Sequence, residues 1–130
     1  MTTIPMAGGP TPAAPNQAAG GSLLTPEMKQ KWDTLVQSND LVLFMKGTPD
    51  APQCGFSNRA AQALAATEHP FHTVNVLAEG SDPFTTMRAL AEWADFPTLP
   101  QVWVKGELIG GSDVAAEMVQ NGELLDLLKA

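Results

Sequence analysis

Cysteine is scarce in this sequence, because Cys54 is the only one among 130 residues. A single thiol cannot form a disulfide within a chain, so the sequence lacks the cross-links that stabilise small proteins in oxidising compartments. We therefore expect a protein of the reducing cytoplasm.

Basic residues and long apolar runs are scarce as well. Seven Lys and Arg stand against fourteen Asp and Glu, which gives a net charge of -7. Such a chain should repel phosphate backbones and anionic lipid surfaces. Its longest apolar run, Leu41 to Met45, is far shorter than the roughly 20 residues that span a bilayer. We expect neither nucleic acid nor a membrane as a partner.

Residues 1–24 contain no charged side chain and consist mostly of Gly, Pro, Ala and Thr. This composition predicts a flexible low-complexity tail. Neither a secretory nor a mitochondrial address is visible, since the first basic residue is Lys29. The remainder, residues 25–130, has the length of one compact domain.

Hydrophobic periodicity and capping residues predict alternating helices and strands over residues 25–130. The predicted strands cover residues 41–45, 71–76, 101–104 and 107–109. The predicted helices begin at Thr25, at Ser57, at Asp82, at Ser112 or Asp113, and at Glu123. A turn at Lys105-Gly106 makes the last two strands an antiparallel hairpin. Four strands on one mixed sheet flanked by helices form an α/β arrangement that resembles the thioredoxin fold.

The chemistry is expected at Cys54, which lies where a loop meets the start of a predicted helix. Backbone N–H groups at a helix N-terminus stabilise a thiolate, and Lys46 at the end of the preceding strand adds positive charge. A lone cysteine is more often a small buried hydrophobic residue. The position of Cys54 favours a reactive thiol with a lowered pKa instead.

The segment Cys54-Gly55-Phe56-Ser57 has the spacing of a Cys-x-x-Cys redox pair, with serine in place of the second thiol. A mixed disulfide at Cys54 therefore has to be resolved by an outside thiol. The same thiolate is free to bind a soft metal. A 2Fe-2S cluster takes four ligands, so two chains and two small thiols would complete a set to which each chain gives one sulfur.

Three segments, residues 46–57, 96–101 and 110–113, resemble the signatures of the monothiol (CGFS-type) glutaredoxins. The resemblance covers residues 25–130. It implies glutathione bound in a groove and a 2Fe-2S cluster that bridges a homodimer. It also implies cluster transfer to iron-sulfur acceptor proteins and a BolA-type protein as a partner.

The resemblance also implies roles for individual residues. Cys54 would be the catalytic thiol and the iron ligand, Lys46 would pair with a glutathione carboxylate, and Phe56 would line the groove. Thr98 and Leu99 precede Pro100, which is expected to be cis and to leave the Leu99 backbone free to bind the glutathione peptide. The γ-glutamyl group would be held by Gly111, Ser112 and Asp113.

Three positions depart from the family pattern, and one of them is Ser112, which replaces a common second cysteine. Met87 occupies the place of an arginine that binds the second glutathione carboxylate, and Arg88 follows it. One step along a helix turns a side chain by roughly 100°, so Arg88 is only a candidate for this contact. Phe96 replaces a tryptophan, which keeps the aromatic ring and removes an N–H donor.

The histidines and tryptophans receive no chemical role. His69 and His72 lie at the entry of a strand, so we expect surface positions rather than metal ligation. Trp32, Trp93 and Trp103 lie on apolar faces and are expected in the core or at an interface.

The leading hypothesis is an iron-sulfur cluster carrier and scaffold that serves cluster biogenesis and iron homeostasis. The alternative is a glutathione-dependent thiol-disulfide oxidoreductase, in which Cys54 attacks a glutathionylated thiol and a second glutathione releases it. A third possibility is a redox-sensing interaction module that uses Cys54 as a switch.

Overall fold

A computed structural model describes residues 22–80 and 82–130 of the chain. Within these residues the helices and strands follow the predicted order. The helices are α1 (Pro26–Ser38), α2 (Gly55–Ala66), α3 (Pro83–Ala94), α4 (Ser112–Gln120) and α5 (Glu123–Lys129). The strands are β1 (Leu41–Met45), β2 (His72–Asn75), β3 (Gln101–Val104) and β4 (Glu107–Gly110).

The strands form one mixed sheet in the order β2-β1-β3-β4. Strand β1 is parallel to β2, with Val42 opposite His72, and antiparallel to β3, with Leu43 opposite Val102. Strands β3 and β4 are antiparallel, and the register shifts between Val102 and Trp103. The predicted hairpin and the thioredoxin fold are therefore confirmed.

Strand β1 lies at the centre of the core, since all five of its residues are buried. Its side chains alternate between the two faces of the sheet, as they do in any strand. Leu41, Leu43 and Met45 pack against α2, α4 and α5, whereas Val42 and Phe44 pack against α1 and α3. Helices on both faces explain why this strand is apolar throughout.

The three tryptophans meet on the α1 and α3 face of the sheet. The rings of Trp93 and Trp103 stack with their centroids 4.6 Å apart, and Trp32 lies 5.6 Å from Trp93. The Trp93 indole N–H donates to Asp33 at 2.9 Å. Trp32 and Trp103 are buried in the core and Trp93 is half-buried against it, in agreement with the predicted core or interface positions.

Helix starts agree with the sequence where a side chain caps them. Thr25 Oγ1 accepts the Met28 N–H at 3.1 Å at the start of α1, and the Asp82 carboxylate caps α3. Two predicted starts were wrong. Helix α2 begins at Gly55 rather than Ser57, with Cys54 as its N-cap. Helix α4 is capped by Gly111, because Ser112 is already helical and buried.

The predicted tail is only partly within the described residues. Residues 1–21 lie outside them, so the tail stays a prediction there. Leu23 and Leu24 are half-buried and pack against the α1 and α3 face of the core, so the packed part of the chain starts slightly before residue 25. Among the described residues, every helix is too short or too polar to traverse a bilayer.

Candidate functional site

The loop between β1 and α2 turns tightly enough to bring Cys54 back to the end of the sheet. Gly47 has a φ of +95°, and a Cβ added there would lie 2.6 Å from the Ala51 carbonyl oxygen. The Gly47 N–H donates to Asn75 Oδ1 at 3.0 Å, and the Gln53 N–H donates to the Lys46 carbonyl at 2.9 Å. Glycine at position 47 is therefore needed for this path.

Cys54 is a free, partly exposed thiol at the N-cap of α2. The neutral thiol makes no regular capping hydrogen bond, but its surroundings stabilise the thiolate. The pKa of Cys54 is lowered by the backbone N–H of Ser57, then by the Phe56 N–H, the Ser57 hydroxyl and the charge of Lys46, against an opposing effect of partial burial. A nucleophilic or metal-binding sulfur requires such an environment.

Ser57 stands where a dithiol protein has its second cysteine, and its side chain is fully buried. Its Oγ accepts the backbone N–H of Lys46 at 3.0 Å. A hydroxyl can accept through its oxygen and donate its proton at the same time, so Ser57 also donates a hydrogen bond to the Cys54 thiolate. Ser57 thus ties the end of β1 to the first turn of α2 and stabilises the thiolate.

Two adjoining clefts share Thr98 and Leu99 as their common wall, and Phe56 in the first turn of α2 lines one of them. The Lys46 cleft has a volume of about 200 Å³ and is lined by Lys46, Met87, Ala91, Pro97, Thr98, Leu99 and Gln101. The Phe56 cleft has a volume of about 410 Å³ and is lined by Phe56, Phe96, Thr98, Leu99, Pro100, Gly111, Ser112, Asp113 and Val114. Together they form a groove that runs past the start of α2.

This groove brings together most of the residues that the sequence predicted. The peptide bond between Leu99 and Pro100 is cis, as expected. The start of α4 faces the Phe56 cleft at Gly111 and Asp113, and N–H groups at a helix start favour anions. Cys54 is not part of either lining, but it directly precedes Gly55 and Phe56.

The candidate contact from Arg88 is not supported by the structure. Met87 lines the Lys46 cleft, whereas the Arg88 guanidinium lies 5.5 Å from the centroid of the Phe84 ring. The rotation between neighbouring helical positions explains the difference. Arg88 is exposed and lies outside both cleft linings.

Two residues at the site escaped the sequence analysis. Arg59 of α2 forms an ion pair with Asp113 of α4 at 2.7 Å. The Asp113 carboxylate, which the sequence predicted as a ligand for the γ-glutamyl group, therefore already has a cationic partner. Gln101 is buried at the start of β3 and lines the Lys46 cleft. The sequence gives no signal for the Arg59 pair, because that pair depends on how α2 packs against α4.

Each chain offers one sulfur to a metal. Within residues 22–80 and 82–130, no three His, Cys, Asp or Glu side chains come together as a metal site. His69 and His72 line a separate cleft at the opposite end of β1, beside Leu41. A soft thiolate suits iron-sulfur chemistry, so the donors fit a cluster to which each chain gives one sulfur.

Comparison with known proteins identifies the family. The glutaredoxin family model matches residues 41–109. An uncharacterized monothiol glutaredoxin from Synechocystis is 44% identical, with 82% of this chain and 95% of that protein covered. Glutaredoxin 4 from Escherichia coli K12 is 45% identical, with 77% and 84% covered.

Solved structures agree with the sequence comparison. The crystal structure of a buckwheat glutaredoxin-glutathione complex superimposes with a TM-score of 0.65 at 31% identity, over 78% of this chain and 86% of that chain. The matches in sequence and in fold, together with the single cysteine of this chain, lead to one conclusion. The chain belongs to the glutaredoxin family and to its monothiol class.

Proposed function

We propose that this protein binds glutathione and carries a 2Fe-2S cluster shared between two copies of the chain. In this role it serves as a carrier and scaffold in cluster biogenesis and iron homeostasis. The observation that carries the proposal is a single, partly exposed cysteine with a lowered pKa beside a groove of suitable size. The reducing cytoplasm is the compartment in which such an unpaired thiol persists.

The groove offers complementary groups for each part of glutathione. Lys46 stands at one end for the glycyl carboxylate, and Asp113 stands at the other for the γ-glutamyl ammonium. The backbone of Thr98 and Leu99 lies between them and can hydrogen-bond the tripeptide. The buckwheat relative was solved as a complex with glutathione, which supports the same ligand for this chain.

The count of sulfur donors supports the proposed cluster binding. A 2Fe-2S cluster takes four ligands, and Cys54 of each copy with one glutathione thiol per copy supplies four sulfurs. Phe56 is 61% exposed and Val114 is 44% exposed, which leaves apolar surface along the Phe56 cleft for the second copy. The bound cluster is cargo that leaves by ligand exchange to an iron-sulfur acceptor protein. A BolA-type protein is a further proposed partner.

Anaerobic reconstitution tests the proposal. The full chain is incubated with iron, sulfide and glutathione, then examined by visible absorption and by size. We expect a coloured dimer from the wild type, a colourless monomer from Cys54→Ser, and no colour when glutathione is omitted. A wild-type protein that stays colourless would refute the carrier role.

The alternative function is a glutathione-dependent oxidoreductase, and the lowered thiol pKa favours it equally. The Cys54 thiolate would attack the glutathione sulfur of a glutathionylated protein and release that protein as a thiolate. A second glutathione would then attack the mixed disulfide at Cys54 and leave as glutathione disulfide. Fast turnover of a glutathionylated peptide by the apo protein, together with failure to bind a cluster, would favour the enzyme.

A further inference from the structure

Gln101 has an unusual environment for a buried amide. Its side chain is 1% exposed, and its Oε1 accepts the Trp103 indole N–H at 3.2 Å. An indole N–H can only donate, so the amide oxygen has to face Trp103 and the NH₂ group has to point away from it. The orientation of the amide is therefore fixed by its neighbour.

The Gln101 NH₂ group has no hydrogen-bond partner among the described residues. Buried polar groups are nearly always paired, so an unpaired one calls for an explanation. The Trp32 indole is also unpaired, but it lies in the core and lines neither cleft. Gln101 differs because it lines the Lys46 cleft.

The other residues of the Lys46 cleft leave few donors for a ligand. Of the described residues that line this cleft, only Lys46 has a charged side chain, and Met87, Ala91, Pro97 and Leu99 offer no side-chain donor. A carboxylate has two oxygens and is held best by several donors in a defined geometry. Lys46 supplies one of them, and the Gln101 NH₂ group is a second, buried donor in the same lining.

We propose that Gln101 is a specificity-determining residue for the ligand carboxylate that enters the Lys46 cleft. Its NH₂ group donates to one carboxylate oxygen while the Lys46 ammonium pairs with the other. This inference rests on the proposed function, in which that carboxylate is the glycyl carboxylate of glutathione. It explains why the sheet keeps a buried amide whose donor end has no partner within residues 22–80 and 82–130.

Calorimetric titration of the apo full chain with two ligands tests this assignment. The ligands are glutathione and its glycine ethyl ester, which lacks the charged group. The decisive variant is Gln101→Glu, which is almost isosteric, keeps an acceptor for Trp103 and replaces the donor with an acceptor. Gln30→Glu on the exposed face of α1 is the matched control, because it makes the same charge change away from the groove.

We expect wild type and Gln30→Glu to prefer glutathione to the ester. Gln101→Glu should bind glutathione at least about tenfold more weakly than wild type does, while its affinity for the ester changes little. Gln101→Met, which removes the donor without adding charge, should show the same selective loss. Unfolding in urea checks that both variants fold.

Three results count against the assignment in different ways. Unchanged glutathione affinity in both Gln101 variants would overturn it. An equal loss for glutathione and the ester would also overturn it, since Gln101 would then act only on the shape of the cleft. A wild-type protein that binds neither ligand would overturn the proposed function itself.

Discussion

Removing the Ser57 hydroxyl should weaken both the fold and the reactivity of Cys54. Ser57 is fully buried, accepts the Lys46 N–H at 3.0 Å and contributes to the lowered pKa of Cys54. In Ser57→Ala the Lys46 N–H loses its acceptor in a half-buried place. Leaving such a donor unpaired costs about 1 to 2 kcal/mol of unfolding free energy, which is measurable against a typical total of about 5 to 15 kcal/mol.

The same variant should raise the pKa of Cys54, because the thiolate loses one of its hydrogen-bond donors. Far-ultraviolet thiolate absorbance and the rate of alkylation, each followed against pH, report that pKa. Tryptophan fluorescence in urea reports the stability, since the tryptophans lie in the core.

The sign of the pH dependence follows from proton linkage. Folding lowers the pKa of the Cys54 thiol, so the thiolate is more stable in the folded chain than in the unfolded chain. This contribution to stability is fully present above the pKa of the unfolded thiol and is lost as the pH falls through the folded pKa. The loss should be smaller in Ser57→Ala, whose folded pKa lies closer to the ordinary value.

Thr86→Val is the matched control for Ser57→Ala. The Thr86 hydroxyl is also buried and donates to the Glu79 carbonyl at 2.6 Å, but it lies on α3. This variant should lose stability while the pKa of Cys54 stays unchanged. A Ser57→Ala protein whose thiol titrates as in wild type would refute the role assigned to Ser57.

Three further predictions concern the groove and its loop. Lys46→Met should weaken glutathione binding by about tenfold to a hundredfold in calorimetry, because an ion-paired hydrogen bond contributes about 1.5 to 3 kcal/mol; undiminished affinity would remove Lys46 from the site. Gly47→Ala should lower the unfolding free energy in urea by about 1 to 3 kcal/mol, since the added Cβ would lie 2.6 Å from the Ala51 oxygen; a variant as stable as wild type would contradict this. Asp113→Asn should reduce glutathione affinity about tenfold. The same variant should change the unfolding free energy by less than about 1 kcal/mol, because the ion pair of Asp113 with Arg59 is exposed. Arg59→Gln is the control, since it removes the ion pair and keeps the Asp113 carboxylate.

The fold was predictable because its signals are local. Each of these signals depends only on neighbouring residues in the sequence. They are the apolar run at β1, the caps at Thr25 and Asp82, and the turn at Lys105-Gly106. The start of α2 was predicted two residues late, because neither Cys54 nor Gly55 is a strong helix signal. The Gly111 cap of α4 was missed, since serine and aspartate are the stronger caps by composition alone.

The site was less predictable where it depends on the packing of separate elements. The contact between Arg59 and Asp113 joins α2 to α4, and no spacing along the chain reveals it. The buried amide of Gln101 needs both the position of Trp103 and the shape of the cleft. Whether Met87 or Arg88 faces the Lys46 cleft depends on the rotation of α3 by one residue. A shift of one residue lies within the error of any predicted helix boundary.

The stoichiometry of the reconstituted protein tests the central claim most directly. Iron, sulfide, glutathione and chain are to be quantified in the coloured species after it has been separated by size under anaerobic conditions. We predict a dimer in which iron, sulfide and glutathione each equal the number of chains, because each Cys54 and each glutathione gives one sulfur. A coloured monomer, or a coloured dimer without glutathione, would contradict the account.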